Sequence, residues 1–366
     1  MPPVFTTADW HYRNDDPYAT TDAKGVSDFL RIRAYLFERV VKLVAARAGH
    51  LLIAGDFLES TLNDSNTMYF ASQSVARLAQ LEFALLLEGN HGYDSKNSDV
   101  GAVSHWKHLV PSNVAVVTYP KVVQTSEIDY HCIPPIPNIT DVFPKVAADL
   151  LRRLDSSKIN ILVLHGPIVG ALYDSGTPAG TGIKKEQLEY VARHYDRVVC
   201  GDFHRYQQVL PNTWYCGSPL QTSLRDKGQQ KGIQVFEGRG SDHRFLPLAG
   251  PRFFELSWDV GQPPPKSIAN PDAYAKVLRQ AVVLLKLSGD TAARASFDLD
   301  DAIVRLKRAG ALRVVHSWIG NQGPIERAHI KSNMGTDEMV AHYVDANPPD
   351  DLPKGEVIQV GLSYLG

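Results

Sequence analysis

An α/β fold is what this sequence predicts, and two patterns predict it. Through about residue 200, short apolar runs alternate with stretches whose apolar residues recur at helical spacing. The apolar runs are continuous, as in a buried sheet covered by helices on both faces. A third pattern bears on function. Several of these runs end in Asp, Asn or His, and ligands collect at the carboxyl ends of strands in such sheets.

Val4 to Ala8 reads as the first strand and runs into Asp9. A helix follows over 27–48, with Ser27 as its cap and Phe29, Leu30, Ile32, Leu36, Phe37, Val40, Val41 and Val44 in helical period. Leu51 to Ala54 is the next strand, stopped by Gly55. A helix over 66–80 leads to a strand at Phe83 to Leu87, which ends at Glu88-Gly89-Asn90-His91. Val114 to Val117 and Ile128 to Ile133 are two more strands. A helix over 144–154 precedes a strand at Ile159 to Leu164, which ends at His165. A helix over 184–195 precedes Arg197 to Cys200, stopped by Gly201.

After residue 205 short strands dominate: 214–216, 232–236, 243–248 and 253–258. Gly261-Gln262-Pro263-Pro264-Pro265 reads as a linker. Helices over 271–287 and 298–309 and a strand at 312–318 predict a small α+β unit. The boundaries this gives are a main domain over 1–248, a second unit over 249–335 and a tail over 336–366, with structure broken at Asn347-Pro348-Pro349.

Composition narrows the classes. With 366 residues, 44% of them hydrophobic and 21% charged, the chain reads as an ordinary globular protein. It has no apolar run of about 18 residues for a membrane span and no basic-then-apolar start for a secretory signal. Cys132, Cys200 and Cys216 lie far apart without metal spacing, which suits a reducing cytoplasm. A net charge of −2 excludes a whole-protein basic field, so any nucleic-acid footprint is local or metal-assisted.

The strand-end residues carry the chemistry. Asp9 and His11, at i and i+2 of an extended end, point to one side and can share a metal. Asp56 offers two oxygens and can bridge two ions, and Asn90 adds a neutral oxygen. His165, Asp202 and His204 complete the set. Oxygen and imidazole donors without thiolate suit Mn²⁺ best, with Mg²⁺, Fe and Zn also within range. Two ions about 3.5–4 Å apart clamp the oxygens of an in-line phosphoryl displacement. His91 directly follows Asn90 and is placed to protonate the leaving alkoxide.

These motifs resemble those of the calcineurin-like metallophosphoesterases: Asp-x-His, Gly-Asp, Gly-Asn-His, a lone His, and a closing pair. After the fifth motif, Arg205-Tyr206-Gln207-Gln208, Trp214-Tyr215-Cys216-Gly217-Ser218-Pro219-Leu220 and the 227–237 stretch are similar to the SbcD-type nuclease subunits of bacteria and phages. The resemblance covers residues 4–237 by motif. It implies a two-sheet sandwich flanked by helices, with a small capping domain. It implies Asp9, His11, Asp56 and His204 around one ion, Asp56, Asn90, His165 and Asp202 around the other, and His91 as acid. It also implies a DNA nuclease acting on duplex ends or single strands, working as a homodimer with an SbcC-type ATPase, in the cytoplasm or in the host's if phage-encoded. The tail is short for an ATPase-docking helix pair. The alternative is a stand-alone phosphodiesterase or phosphatase. A scaffold that has lost catalysis would lack ligands, and here every ligand position holds a competent residue.

Three departures stand out. Asp202 occupies the place of the family's first closing His, which favours a harder ion and adds negative charge. Gly92 stands where an acidic residue usually follows the acid, which leaves either Asp94 to orient His91 or His91 less tuned. Glu59 takes a place where the branch often has an aromatic or His, and fits either a supporting or a surface role.

Overall fold

The computed structural model describes residues 1–92, 100–239, 243–319, 336–346 and 353–363. Two six-stranded sheets pack face to face. The first has the order β12 (His243–Pro247), β11 (Gly232–Phe236), β1 (Val4–Thr7), β2 (His50–Ile53), β3 (Phe83–Leu87), β4 (Val114–Val117). Its strands β1 to β4 are parallel, while β11 and β12 add antiparallel at the β1 edge. The second has the order β5 (Lys121–Gln124), β6 (Ile128–Ile133), β7 (Ile159–His165), β8 (Arg197–Gly201), β10 (Thr213–Tyr215), β9 (Gln207–Leu210). Here β6, β7, β8 and β10 are parallel, and β5 and β9 are antiparallel edges.

The two-sheet sandwich flanked by helices that the resemblance implied is thus what the chain forms, in place of the single sheet with helices on both faces that the apolar runs alone suggested. Alternation explains why. Leu51 and Ile53 of β2 pack in the layer under helices α1 (Asp28–Ala45) and α2 (Ser65–Arg77), while Leu52 packs between the sheets. Likewise Leu162 and Leu164 of β7 face the layer of α3 (Ile139–Leu151) and α4 (Lys185–Ala192), and Ile161 and Val163 meet the other sheet. A strand buried under a helix and a strand buried under a sheet carry the same apolar run.

Caps place the helices. Ser27 Oγ accepts from Leu30 N, and the Asp64 carboxylate accepts from Asn66 N and Thr67 N at the start of α2. Buried Arg33 of α1 reaches back to the loop after β1. Its guanidinium donates to both Asp16 oxygens at 2.6 and 2.7 Å and to Trp10 O at 3.1 Å. Asp16→Ala should strand this charge and cost about 3–5 kcal/mol. Urea unfolding checks that; a loss under about 1 kcal/mol would mean the loop is held by packing alone.

The C-terminal unit holds three parallel strands, β13 (Arg252–Asp259), β14 (Ala281–Ser288) and β15 (Arg313–Trp318). The helix expected over 271–287 is corrected here. Helical turns cover Pro271–Tyr274 and Ala275–Leu278, the chain reverses at Gln280 with φ 59°, and the rest is β14. Val282 and Val283 are β-branched and fully buried on the central strand, a setting that favours extension over helix. Phe253 packs on Phe29 and Tyr18, Gln221 accepts from Phe253 N at 2.7 Å, and Arg313 pairs with Asp28 at 2.7 Å. The tail carries two short helices, Thr336–Ala346 and Lys354–Ser363, that pack on each other. Among the described residues no helix is long and apolar enough to cross a membrane.

Candidate metal centre

The carboxyl ends of β1, β2, β3, β7 and β8 meet where the two sheets face each other. His165 Nδ1 lies 2.7 Å from Ala54 O, and Asp202 N donates to Asp9 Oδ1 at 3.1 Å, so each link crosses from one sheet to the other. Asp9, His11, Asp56, Asn90, His165, Asp202 and His204 all converge on this seam.

The backbone there is not extended. Asp9 has φ 54°, His11 46°, Asp56 47° and Asp202 101°. Such residues cost roughly 1–2 kcal/mol each and persist where the surroundings fix them. Asp9 N donates to Gly55 O at 3.1 Å, His11 N to Asp56 O at 3.0 Å and Tyr12 N to Phe57 O at 2.9 Å. The i, i+2 reading of Asp9 and His11 on one strand face is therefore corrected: both lie beyond β1, in a turn zipped to the segment after β2. Gly55 has φ 97°, and a Cβ there would overlap the His165 ring. A Cβ at Gly89 would overlap the Asp56 carboxylate.

The donors fall into two overlapping groups, Asp9 with His11 and His204, and Asp9 with Asp56 and His165. His11 Nε2 and His204 Nε2 face each other at 2.9 Å. His165 Nε2 lies 2.9 Å from Asn90 Oδ1, 3.3 Å from Asp56 Oδ2 and 4.0 Å from Asp202 Oδ1. Asn90 Nδ2 donates to Asp202 Oδ1 at 3.1 Å. Asp9 Oδ2 is buried with no hydrogen-bond partner. A buried carboxylate oxygen without a partner and ring nitrogens aimed at one another fit cations between them. The thiols of Cys132, Cys200 and Cys216 are buried outside these groups.

Charge is concentrated here. Burial pushes the Asp9 carboxyl up to about 7 and also raises Asp202. Burial opposes charge on His165, but the adjoining Asp56 carboxylate prevails and lifts it to about 10. Burial likewise opposes ionised Asp56, yet His165 holds it below the usual carboxylate range. Metal-free stability should follow. A His165 folded value above its unfolded 6.5 stabilises fully below that pH, and the gain is lost as pH rises through about 10. The raised Asp9 value removes stability between its unfolded 3.8 and about 7. The lowered Asp56 value acts only near and below 3.8. The melting temperature in chelator should therefore fall from about pH 5 to about pH 9, and added Mn²⁺ should flatten the fall. A flat curve in chelator would contradict this charge balance.

His91 stands at the mouth, with its side chain 45% exposed. Its backbone N–H donates to Asp56 Oδ1 at 3.1 Å, and its Nδ1 lies 3.2 Å from Glu59 O. The carbonyl can only accept, so Nδ1 carries a proton and Nε2 is left for exchange. Asp94, expected to orient His91, lies outside the described residues; among the described residues the Glu59 carboxylate lies 3.9 Å from His91 Nδ1.

Two further carboxylates were not singled out by sequence. Buried Glu88 accepts from Val103 N at 3.2 Å and Gly89 N at 3.4 Å, and burial pushes it up to about 8. It ties the Asn90 loop to the 101–103 segment, and its signal was an acid at the end of an apolar strand. Asp174 lies 3.5 Å from His204 Nδ1, with no local motif to announce it. The residues after the fifth motif support His204 from below: Ser218 N donates to His204 O at 3.0 Å, and buried Lys231 donates to the same oxygen at 2.7 Å.

No protein-family model matches the chain, and no curated protein matches it. Among solved structures it is similar to a dimetal phosphatase from Danio rerio, with a TM-score of 0.41, 10% identity, and coverage of 64% of this chain and 91% of that one. It is also similar to the phosphopantetheinyl hydrolase PptH from Mycobacterium tuberculosis, with a TM-score of 0.33, 13% identity, and coverage of 60% and 90% respectively.

Proposed function

We propose that this chain is a two-metal phosphoester hydrolase, and within that class an SbcD-type nuclease acting on DNA ends. The convergence of Asp9, His11, Asp56, Asn90, His165, Asp202 and His204 on one seam, with Asp9 Oδ2 buried and unpartnered, carries the first part. Asp9, His11, Asp56 and His204 would hold one ion, and Asp56, Asn90, His165 and Asp202 the other. Bound there, the ions would polarise the phosphoryl group and make water a nucleophile at neutral pH. Asn90 is oriented by its bond to Asp202, which leaves its carbonyl oxygen facing His165. His91, fixed through Nδ1, is free to deliver a proton from Nε2 to the leaving oxygen.

The nuclease part rests on the motif order and on the residues after His204, and the homodimer and the SbcC-type ATPase partner belong to the same reading. Lys231 and Ser218 act on the His204 backbone, so their presence is equally compatible with small or protein phosphoesters.

One assay separates these cases. Chelator-stripped protein is reloaded with Mn²⁺ or Mg²⁺, its ion content measured, and linear, nicked and hairpin DNA compared with bis-p-nitrophenyl phosphate and p-nitrophenyl phosphate. The expected result is about two ions per chain and Mn²⁺-dependent loss of linear duplex. Turnover of the nitrophenyl esters with every DNA intact would move the substrate to small phosphoesters. Neither ions nor turnover would end the hydrolase reading.

A further inference from the structure

Glu88 is buried just past the end of β3, and its carboxylate bridges two backbone segments. Oε1 accepts from Gly89 N at 3.4 Å, and Oε2 accepts from Val103 N at 3.2 Å. Its own N–H donates to Val117 O at 2.9 Å, which ties it to β4. Two glycines make room for it. A Cβ on Gly92 would overlap Oε1, and a Cβ on Gly101 would overlap Oε2. Neither position needs glycine for its backbone: Gly101 has φ −102°, and Gly92 is not left-handed. What excludes a side chain at both is the Glu88 carboxylate.

The bridge joins two parts of the centre. One is the short helical turn Asn90–Gly92, which carries a ligand and the acid His91. The other is the turn Ala102–Trp106. Its Trp106 packs edge-on against Phe57 at 5.9 Å and donates from Nε1 to Ser72 Oγ at 3.1 Å. Phe57 directly follows Asp56, whose Oδ1 accepts from His91 N at 3.1 Å. We infer that Glu88 is a positioning residue. Its carboxylate sets where Asn90 and His91 stand, and Gly92 and Gly101 are small to admit it. The inference rests on the two-metal reading above. Glu88 works through the backbone. Without it Gly89 N and Val103 N lose their buried acceptor, and a void opens behind the turn. Asn90 Oδ1, now 2.9 Å from His165 Nε2, and the His91 ring would then shift together. A misplacement of about 1 Å is enough to cost roughly 10²-fold in rate.

Four variants test this against the unaltered protein: Glu88→Gln, Glu88→Ala, Gly92→Ala, and Glu88→Ala with Gly92→Ala. Mn²⁺ binding is measured by calorimetry, melting temperature in chelator, and kcat and KM on an alkyl phosphodiester and on bis-p-nitrophenyl phosphate. Glu88→Ala should bind one of the two ions about 10–100-fold more weakly. At saturating Mn²⁺ its kcat should fall roughly 10²-fold on the alkyl ester and less on the nitrophenyl ester, because the proton of His91 is misplaced too. Gln keeps the length and one acceptor oxygen, so it should recover part of both losses. Gly92→Ala puts its Cβ on the carboxylate and should alone lower kcat about tenfold or more, yet add less than about threefold to Glu88→Ala. Equal losses from Gly92→Ala in both backgrounds would show that the carboxylate does not exclude a side chain there. A lower melting temperature with unchanged ion affinity and an unchanged ester ratio in both Glu88 variants would make Glu88 a structural residue. Either result overturns the inference. Failure of the unaltered protein to bind ions would instead overturn the two-metal reading beneath it.

Discussion

Asp56→Asn should abolish function while leaving the fold in place. Asp56 Oδ2 lies 3.3 Å from His165 Nε2 and 3.9 Å from His11 Nε2, so it faces both donor groups, and Oδ1 accepts the His91 N–H at 3.1 Å. An Asn oxygen can still accept that N–H, and the neighbouring Gly89 keeps the space that either side chain needs. What is lost is a negative charge that faces both His11 and His165. Removing one partner from a buried charge pair costs about 3–5 kcal/mol, and about 1.4 kcal/mol is tenfold. Turnover at fixed Mn²⁺ should fall roughly 10²–10⁴-fold, and measured ion content should drop below that of the unaltered protein. The metal-free variant should also lose part of the stability that His165 supplies at acidic pH, because the imidazolium no longer faces a carboxylate. Full ion content with full turnover would place Asp56 outside the centre.

The site was more legible in the sequence than the fold that carries it. Chemistry restricts the residue types: Asp56, Asn90 and His165 each follow an apolar run, and strand ends are where ligands gather, so order and placement were enough to assemble them. Their conformation was not readable. Asp9 and His11 come together through two left-handed residues and a zip to the segment after β2, and nothing at i and i+2 signals that. The same zip hides Glu59, whose partner His11 lies in a segment joined to it only by the fold. On the fold side, the apolar run of β2 is the same whether Leu52 meets a helix or a sheet. The apolar run of β14 was readable as helix or strand until its register between β13 and β15 decided it.

The residues that suggested a substrate class have a nearer task. Gly217, at φ 70°, lets the chain pass close under Tyr206 N, Ser218 N caps the His204 carbonyl, and Lys231, paired with Asp226 at 2.6 Å, reaches the same oxygen. This stretch fixes the loop bearing Asp202 and His204. It explains why the stretch follows the fifth motif, and it leaves substrate choice to be decided by assay.

His91→Ala should separate proton donation from ion binding. The ring lies at the mouth, it is the most exposed of the histidines at the centre, and its Nδ1 is engaged by Glu59 O. A general acid contributes typically 10²–10⁴-fold, and only where the leaving group needs a proton. On DNA or an alkyl phosphodiester, whose alkoxide leaves poorly, the variant should lose about 10²–10⁴-fold in kcat. On bis-p-nitrophenyl phosphate the phenolate leaves unprotonated at neutral pH, so the loss should stay below about tenfold. Ion content should remain that of the unaltered protein, because the donor groups around Asp9 and His165 do not include His91. His91 does appear in one other cluster, with His11 and Glu59, so the ion measurement is decisive. Equal losses on both esters together with a missing ion would make His91 a ligand, and unchanged turnover on the alkyl ester would remove it from the reaction.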